Sequence, residues 1–197
     1  DLSFSVASKY DDNALYLAVK VRDQSHMQTR PSGDTWQEDS VQIGVASGWD
    51  GAKWNAWQKL CVAFGNDGAV MVQRNGGSHL PTGEVHRSSI PCAIKRVQDE
   101  TFYELAIPWK VLDSGLSGPP PQKRIGIGIL VNDVDSPTVN RRTADKGSQQ
   151  AETEVMVATV SANPKRKAME AYGGMFWGRP EEFGILILTD KNETRDK

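Results

Sequence analysis

Apolar residues alternate with polar ones along most of the chain. Leu2, Phe4 and Val6 stand against Ser3, Ser5 and Ala7, and Leu15, Leu17, Val19 and Val21 stand against Tyr16, Ala18, Lys20 and Arg22. A period of two puts one set of side chains on each face of an extended backbone, so both runs read as half-buried antiparallel strands. Asp11-Asp12-Asn13 lies between them. These residues tolerate left-handed backbone and cap themselves through their side chains, which predicts a hairpin. The same pattern predicts strands at Val41 to Ala46, Lys59 to Phe64, Ala69 to Gln73, Cys92 to Val97, Thr101 to Ile107, Ile125 to Asn132, Val155 to Val160 and Phe183 to Leu188. Gly65-Asn66-Asp67-Gly68 suits a tight reversal between two of them. Roughly ten strands punctuated by turns predict an all-β fold, an antiparallel β-sandwich of jelly-roll type. Helix is scarce; Pro108 to Leu112 reads as one helical turn, since proline is tolerated at a first helical position.

The strand pattern breaks in two polar stretches, Asp133 to Glu154 and Ser161 to Gly174, which read as long loops. Lys165, Arg166 and Lys167 in the second are a solvated loop face in this reading. Thr189 to Lys197 is charged and aperiodic, a tail or linker. The organisation expected is therefore one sandwich domain over residues 1–188 followed by a charged tail over 189–197.

Length and charge then narrow the partners. A chain of 197 residues can bury a sizeable core within a single sandwich. It carries 23 basic and 25 acidic side chains, a net charge of −2, with no Lys/Arg stripe interleaved with aromatics. Nucleic acid and anionic membrane are not expected partners. No run reaches the roughly 20 apolar residues that cross a bilayer. Asp1 opens directly into strand-like sequence without an initiator methionine or signal peptide, so the chain reads as a piece of something longer. Cys61 and Cys92 read as buried free thiols or as one optional staple.

The tryptophans carry the candidate chemistry. Trp36 sits in Thr35-Trp36-Gln37-Glu38-Asp39, a polar turn feeding the strand of Val41, Ile43 and Val45, which places a large aromatic face at a sheet rim. Trp177, in Phe176-Trp177-Gly178, is a second such residue far along the chain. Two indoles meeting at one rim could stack on the C–H face of a flat, polar-edged ligand such as a sugar ring. The competing reading makes them rim plugs with their indole N–H groups satisfied by loop carbonyls. Trp49, Trp54 and Trp57 either pack beneath the adjoining hairpin or widen the aromatic surface, and Trp109 reads as core. Three histidines, His26, His79 and His86, all lie in polar surroundings, and no nucleophile or metalloprotease motif can be assembled. The chain is not expected to be an enzyme.

Five blocks in order carry a resemblance. They are Lys9-Tyr10-Asp11-Asp12-Asn13-Ala14-Leu15-Tyr16-Leu17 running to Val21-Arg22-Asp23, then Trp36-Gln37-Glu38-Asp39-Ser40-Val41-Gln42-Ile43, then Tyr103-Glu104-Leu105-Ala106-Ile107-Pro108-Trp109. Gly126 to Asp135 and Trp177 with Pro180, Phe183, Gly184 and Leu188 complete the set. Together they resemble the family 9 carbohydrate-binding modules and the related DOMON-like sandwiches. The resemblance implies a non-catalytic accessory domain of a larger exported bacterial glycan-processing protein, located outside the cytoplasm. It further implies a terminal sugar clamped between Trp36 and Trp177; Asp39, Gln42 and Arg142 are the candidate partners for its hydroxyls. Asp39 has the alternative of bonding a backbone turn. Where sugar-binding members carry a glutamate three residues after the motif's aspartate, this chain has Gln42; Lys59-Leu60-Cys61, Leu130 and Gly174 stand where an arginine, a glutamine and an asparagine are expected.

The partners implied are an oligosaccharide or polysaccharide end and other domains of the same chain. Relatives carry calcium, and Asp11, Asp12, Asn13, Asp23, Asn132, Asp133 and Asp135 offer oxygen ligands, against the simpler reading of turn aspartates in water. Two rival functions stand beside sugar binding. One is a purely structural domain packed on a neighbour. The other is a haem b electron-transfer domain using His26-Met27, Met156 or Met175 as axial ligands.

Overall fold

The computed structural model describes residues 2–78, 80–134, 153–158 and 183–189, with 153–158 as backbone alone. Two antiparallel sheets hold almost all of them. The smaller has the order β1-β2-β8-β7, built from β1 (Ser3–Tyr10), β2 (Ala14–Arg22), β7 (Cys92–Val97) and β8 (Glu100–Pro108). In the larger, β3 (Ser40–Trp49) lies between β9 (Arg124–Val134) and β4 (Trp54–Phe64), followed by β5 (Val70–Gly77) and the two-residue β6 (Gly83–Glu84). On the far side of β9, β10 (Thr153–Ala158) pairs with residues 129–134 and β11 (Gly184–Ile187) with residues 124–127. One turn of helix, α1 (Trp109–Leu112), follows β8 as the sequence pattern predicts.

The alternation read from the sequence becomes the core. Leu15, Leu17, Val19 and Val21 of β2 and Tyr103, Leu105 and Ile107 of β8 meet Val41, Ile43 and Val45 of β3 and Leu60 and Val62 of β4 between the sheets. Burial of this size is the main favourable term in folding. The predicted first hairpin forms, with Tyr10 opposite Leu15 and Ser3 opposite Arg22. Asp11 caps its turn: Oδ1 accepts the N–H groups of Asn13 and Ala14 at 2.8 and 3.0 Å, and Oδ2 accepts the Tyr16 hydroxyl at 2.9 Å. Those backbone donors, Asn13 first, hold the Asp11 carboxyl below its usual range. Trp109 is core, as read, and donates Nε1–H to the Asp11 carbonyl at 2.8 Å, tying α1 to the hairpin. Val6 departs from the alternation. It shares the inward face with Val19, but among the described residues β1 has no strand beyond it, and Val6 stays 39% exposed.

The larger sheet also buries its outer face, which explains its unusual length of apolar sequence. β3 and β4 run past their predicted limits as a hairpin in which Trp49 pairs with Trp54. Asp50 caps that turn by accepting the N–H groups of Ala52 and Lys53, and Gly51 supplies the positive φ of 102°. Trp54 packs with Ala46, Leu130 and Phe183, while Trp49 and Trp57 lean on the same cluster. The ring centroids of Trp49 and Trp54 are 5.1 Å apart. The three indoles thus serve packing, one of the two roles the sequence leaves open. Cys61 and Cys92 lie in different sheets and are free thiols; burial pushes the Cys92 thiol up to about 12.

Trp54 needs a glycine beneath it. A Cβ on Gly126 would stand 2.8 Å from Trp54 Cε2 and 3.1 Å from the Ala46 Cβ. Gly126→Ala is therefore expected to destabilise the fold by about 1–3 kcal/mol, the usual cost of overpacking, despite the β propensity gained. Urea unfolding checks this; a midpoint unchanged or raised would show that the cluster has slack.

Candidate functional site

The segment 23–39 is irregular, yet it is held by buried polar side chains, because its backbone groups have no sheet partners and must be satisfied otherwise. Asp39 is central. Its Oδ1 accepts the Val134 N–H at 2.9 Å, and its Oδ2 accepts the Met27 N–H at 2.8 Å and faces His26 Nδ1 at 3.1 Å. The other ring nitrogen, Nε2, lies 2.7 Å from the Phe64 carbonyl, which can only accept. Nε2 therefore carries a proton, and Nδ1 carries one as well when the Asp39 carboxyl is ionised. Burial works to lower its pKa, but the hydrogen bonds to Asp39 and Phe64 outweigh it, and the net direction is up. Burial likewise pushes the Asp39 carboxyl up against the three donors that pull it down. Between those two titrations the pair is an imidazolium and a carboxylate.

Two further side chains complete the frame. Gln28 donates Nε2–H to the carbonyls of Thr35 and Asp39, both at 2.9 Å. Glu38 accepts the Thr29 N–H at 2.6 Å and sits 3.1 Å from the Arg30 guanidinium. The result is a fixed single turn of 3-10 helix at Thr35–Gln37, which holds Trp36 half-buried beside the outer face of the larger sheet.

Beside Trp36 lies a cavity of about 430 Å³, lined by Trp36, Gln42, Lys59, Gln73, Arg74 and Asn75, with Gly33, Thr82 and Gly83 at its margins. Register explains the set. Leu130, Gln42, Cys61 and Gln73 form one row across β9, β3, β4 and β5, and Gly128, Gly44, Lys59 and Gly76 form the next. In that second row only Lys59 has a side chain. On a flat strand the consecutive residues Gln73, Arg74 and Asn75 would not all line one cavity. The pairing shifts here, with Leu60 opposite Arg74 and Lys59 opposite Gly76, so Asn75 is the extra residue of a β-bulge. Bulges re-aim side chains in this way beside functional sites.

The polar groups of this cavity are held but not used up. Gln42 is 3% exposed, and its amide makes no hydrogen bond with a described residue. Gln73 spends its Oε1 on the Gly33 N–H at 3.0 Å and the Thr35 hydroxyl at 3.2 Å, which leaves its NH₂ group for a ligand. Arg74 is anchored by Nε to Gln58 Oε1 at 2.7 Å and by Nη1 to the Pro81 carbonyl at 3.3 Å. Burial lowers the pKa of Lys59 and of Arg74. The Gln42 side chain lines the cavity, so its amide is open to a polar group placed there.

Of the residues proposed from sequence, Trp36 and Gln42 come together here. Asp39 does not line the cavity: its oxygens are spent on Met27, Val134 and His26, and it acts through the turn that carries Trp36. Trp177 and Arg142 lie outside the described residues. Lys59, Gln73, Arg74 and Asn75 were not selected from the sequence as site residues. The signal for Lys59 and Gln73 was present as polar residues within strand-like sequence. The bulge that adds Arg74 and Asn75 left none.

Calcium takes six to eight oxygens, and among the described residues one cluster of acidic and histidine side chains comes together. Asp23, His26 and Asp39 bring ligand atoms within 4.8 Å of one another. Yet Asp23 accepts the Ser25 N–H and faces the Arg96 guanidinium at 3.7 Å, and Asp39 faces His26, so the place of a cation is taken by protein cations. Asp11 belongs to its turn, and Asp135 lies outside the described residues. A haem ligand at His26 conflicts with the same geometry, since both ring nitrogens are engaged. Of the methionines offered with it, Met175 and the side chain of Met156 lie outside the described residues.

The fold is an antiparallel β-sandwich with an aromatic-walled, amide-lined cavity on the outer face of its larger sheet. The chain belongs to the family described as "Carbohydrate family 9 binding domain-like", which matches residues 1–191. Two solved relatives are similar to it. A family 9 carbohydrate-binding module from Caldicellulosiruptor kristjanssonii in complex with glucose shares 17% identity at a TM-score of 0.63, over 100% of this chain and 82% of that one. A module of the same family from that organism in complex with cellotriose shares 18% at 0.61, over 99% and 79%. No curated protein sequence matches the chain.

The His26–Asp39 pair makes stability depend on pH. A folded pKa raised above the ordinary 6.5 contributes fully below that value and is lost as pH rises through the folded one. The thermal midpoint is expected to fall over that window, and His26→Gln, which keeps a polar side chain but does not titrate, is expected to remove the slope. A slope that survives the substitution would contradict the pairing.

Proposed function

We propose that the chain is a non-catalytic carbohydrate-binding domain that takes a sugar ring into the cavity beside Trp36. The cavity that brings the Trp36 indole and the Gln42 side chain together is the observation that carries this reading. A cavity of about 430 Å³ is within the range that holds small ligands. Indole provides an apolar face for the C–H side of a pyranose, and Gln42, the Gln73 NH₂, Asn75 and Thr82 can exchange hydrogen bonds with its hydroxyls. Among the described lining residues there is no carboxylate pair of the kind glycosidases use to break a glycosidic bond.

In this reading Trp177 and Arg142 are further candidate partners of the sugar. The domain then serves a larger exported glycan-processing protein by raising its concentration on the glycan. The ligands of the two similar modules, glucose and cellotriose, are the first to try.

Titration of the intrinsic tryptophan fluorescence with glucose, cellobiose and cellotriose tests the proposal. Saturable quenching is expected, with Trp36→Ala abolishing it. Gln42→Ala should weaken binding about tenfold, the equivalent of one hydrogen bond in a buried site. Silence toward every saccharide tried, in the parent protein as in the variants, would remove the proposal.

A further inference from the structure

We infer that Gln73 reads one hydroxyl of the ligand as an acceptor only, and that Thr35 is the positioning residue that holds Gln73 to this role. The inference rests on the sugar-binding reading above and deepens it. A free carboxamide can turn over and present either its oxygen or its NH₂ group. Gln42 keeps that freedom, since its amide makes no hydrogen bond with a described residue. Gln73 does not. Its Oε1 accepts two donors, the Gly33 N–H at 3.0 Å and the Thr35 hydroxyl at 3.2 Å. Turned over, the amide would set its NH₂ group against the Gly33 N–H, which can only donate, so one orientation is fixed. In that orientation Nε2 is left to the cavity that Gln73 lines. A Cβ on Gly33, which lines the same cavity, would stand 3.8 Å from Nε2, and the bare glycine leaves that room open.

Thr35 is itself held in place. It is fully buried, and its carbonyl accepts Gln28 Nε2–H at 2.9 Å. Its hydroxyl has a single proton to give, and Cys61 Sγ lies 3.4 Å from the hydroxyl oxygen. Burial pushes the Cys61 pKa up, so the group is a thiol that can donate S–H to Thr35 Oγ1 while Thr35 donates to Gln73. The relay then runs one way, from Cys61 through Thr35 to Gln73, and ends on a group that only donates. With Thr35 donating to sulfur instead, a weak acceptor would be served and Gln73 would lose one of its two donors. Gln73 is 8% exposed. A buried group built to bond a hydroxyl rejects an analogue that lacks it, because the group is then left unpaired.

Glucose and its monodeoxy and monodeoxyfluoro analogues, compared by calorimetry, test this. Hydrogen in place of a hydroxyl removes donor and acceptor together, whereas fluorine removes the donor and keeps an acceptor. At the carbon that meets Gln73 the deoxy sugar is expected to bind about tenfold more weakly than glucose, and the fluoro sugar at least about threefold more tightly than the deoxy one. Gln73→Glu keeps the shape and can accept the same Gly33 and Thr35 donors, but it shows the ligand an acceptor. The order at that carbon should then reverse, with the fluoro sugar the weaker. A merely structural role for Gln73 would lower all affinities alike and leave the order as it was. Thr35→Val should shrink the advantage of fluorine over hydrogen, and Thr35→Ser, which keeps the hydroxyl, should preserve it. If Gln73→Glu does not fold, the Thr35 pair decides. No carbon at which fluorine outperforms hydrogen, or an order unmoved by Gln73→Glu or by Thr35→Val, would overturn the inference and leave sugar binding standing. Absence of glucose binding would overturn the inference, and absence of cellotriose binding as well would overturn the underlying reading.

Discussion

Asp39 is approached from three directions, by the Met27 and Val134 N–H groups and by His26, and through them one carboxylate joins the start of β3, the end of β9 and the irregular segment before β3. A carboxylate buried this deeply is tolerated only because it is so fully partnered; remove the partners and it becomes an uncompensated charge in the interior. The position of Trp36 follows from it. Thr35 and Trp36 stand on a single turn that makes few apolar contacts with the main core, so the turn's place over the sheet depends on the polar frame of Gln28, Glu38 and Asp39. The frame is structural, and its product is a fixed aromatic wall.

The larger sheet explains why a cavity can exist against that wall. Its inner face is conventional, packed with Val41, Ile43, Val45, Leu60 and Val62. Its outer face divides along the strands. At one end Trp54 closes over Gly126 and Ala46. Toward Trp36 the rows change to Gln42, Cys61 and Gln73, and to Lys59 with glycines as its neighbours. Glycines beside one long basic side chain leave volume that an apolar row would have filled. The bulge at Asn75 then adds Arg74 to the same cavity. A sheet that keeps Gln42, Gln73 and Lys59 under low exposure on this face forgoes stability that an apolar face would have given.

The fold was legible because strand periodicity is a local property. The pairs Leu15 with Leu17 and Val41 with Ile43 announce their faces without any knowledge of what they will meet, and Asp11 announces its turn by chemistry confined to four residues. The limits of β3 and β4 were harder, since Trp49 to Trp57 breaks the alternation and becomes strand only because the two arms pair with each other. The site was half legible. Trp36 stands out as an indole on a polar turn, and Gln42 is reached through the family resemblance. Asp39 reads from sequence either as a hydroxyl partner or as a group bonding a backbone turn, and nothing local says that the Val134 N–H, 95 positions away, will claim it. Gln73 and Arg74 depend on register and on a bulge, which are decided by pairing between strands.

The most direct test of the account is a two-dimensional ¹⁵N NMR titration with glucose and with cellotriose, read at side-chain signals. Binding beside Trp36 predicts that the Trp36 indole N–H and the side-chain NH₂ groups of Gln42 and Gln73 shift together and saturate with one affinity. Shifts confined instead to the backbone of Ala7, Tyr16, Ala18 and Glu104, which line a hollow of about 500 Å³ on the outer face of the smaller sheet, would put the ligand on the opposite side of the sandwich and contradict it.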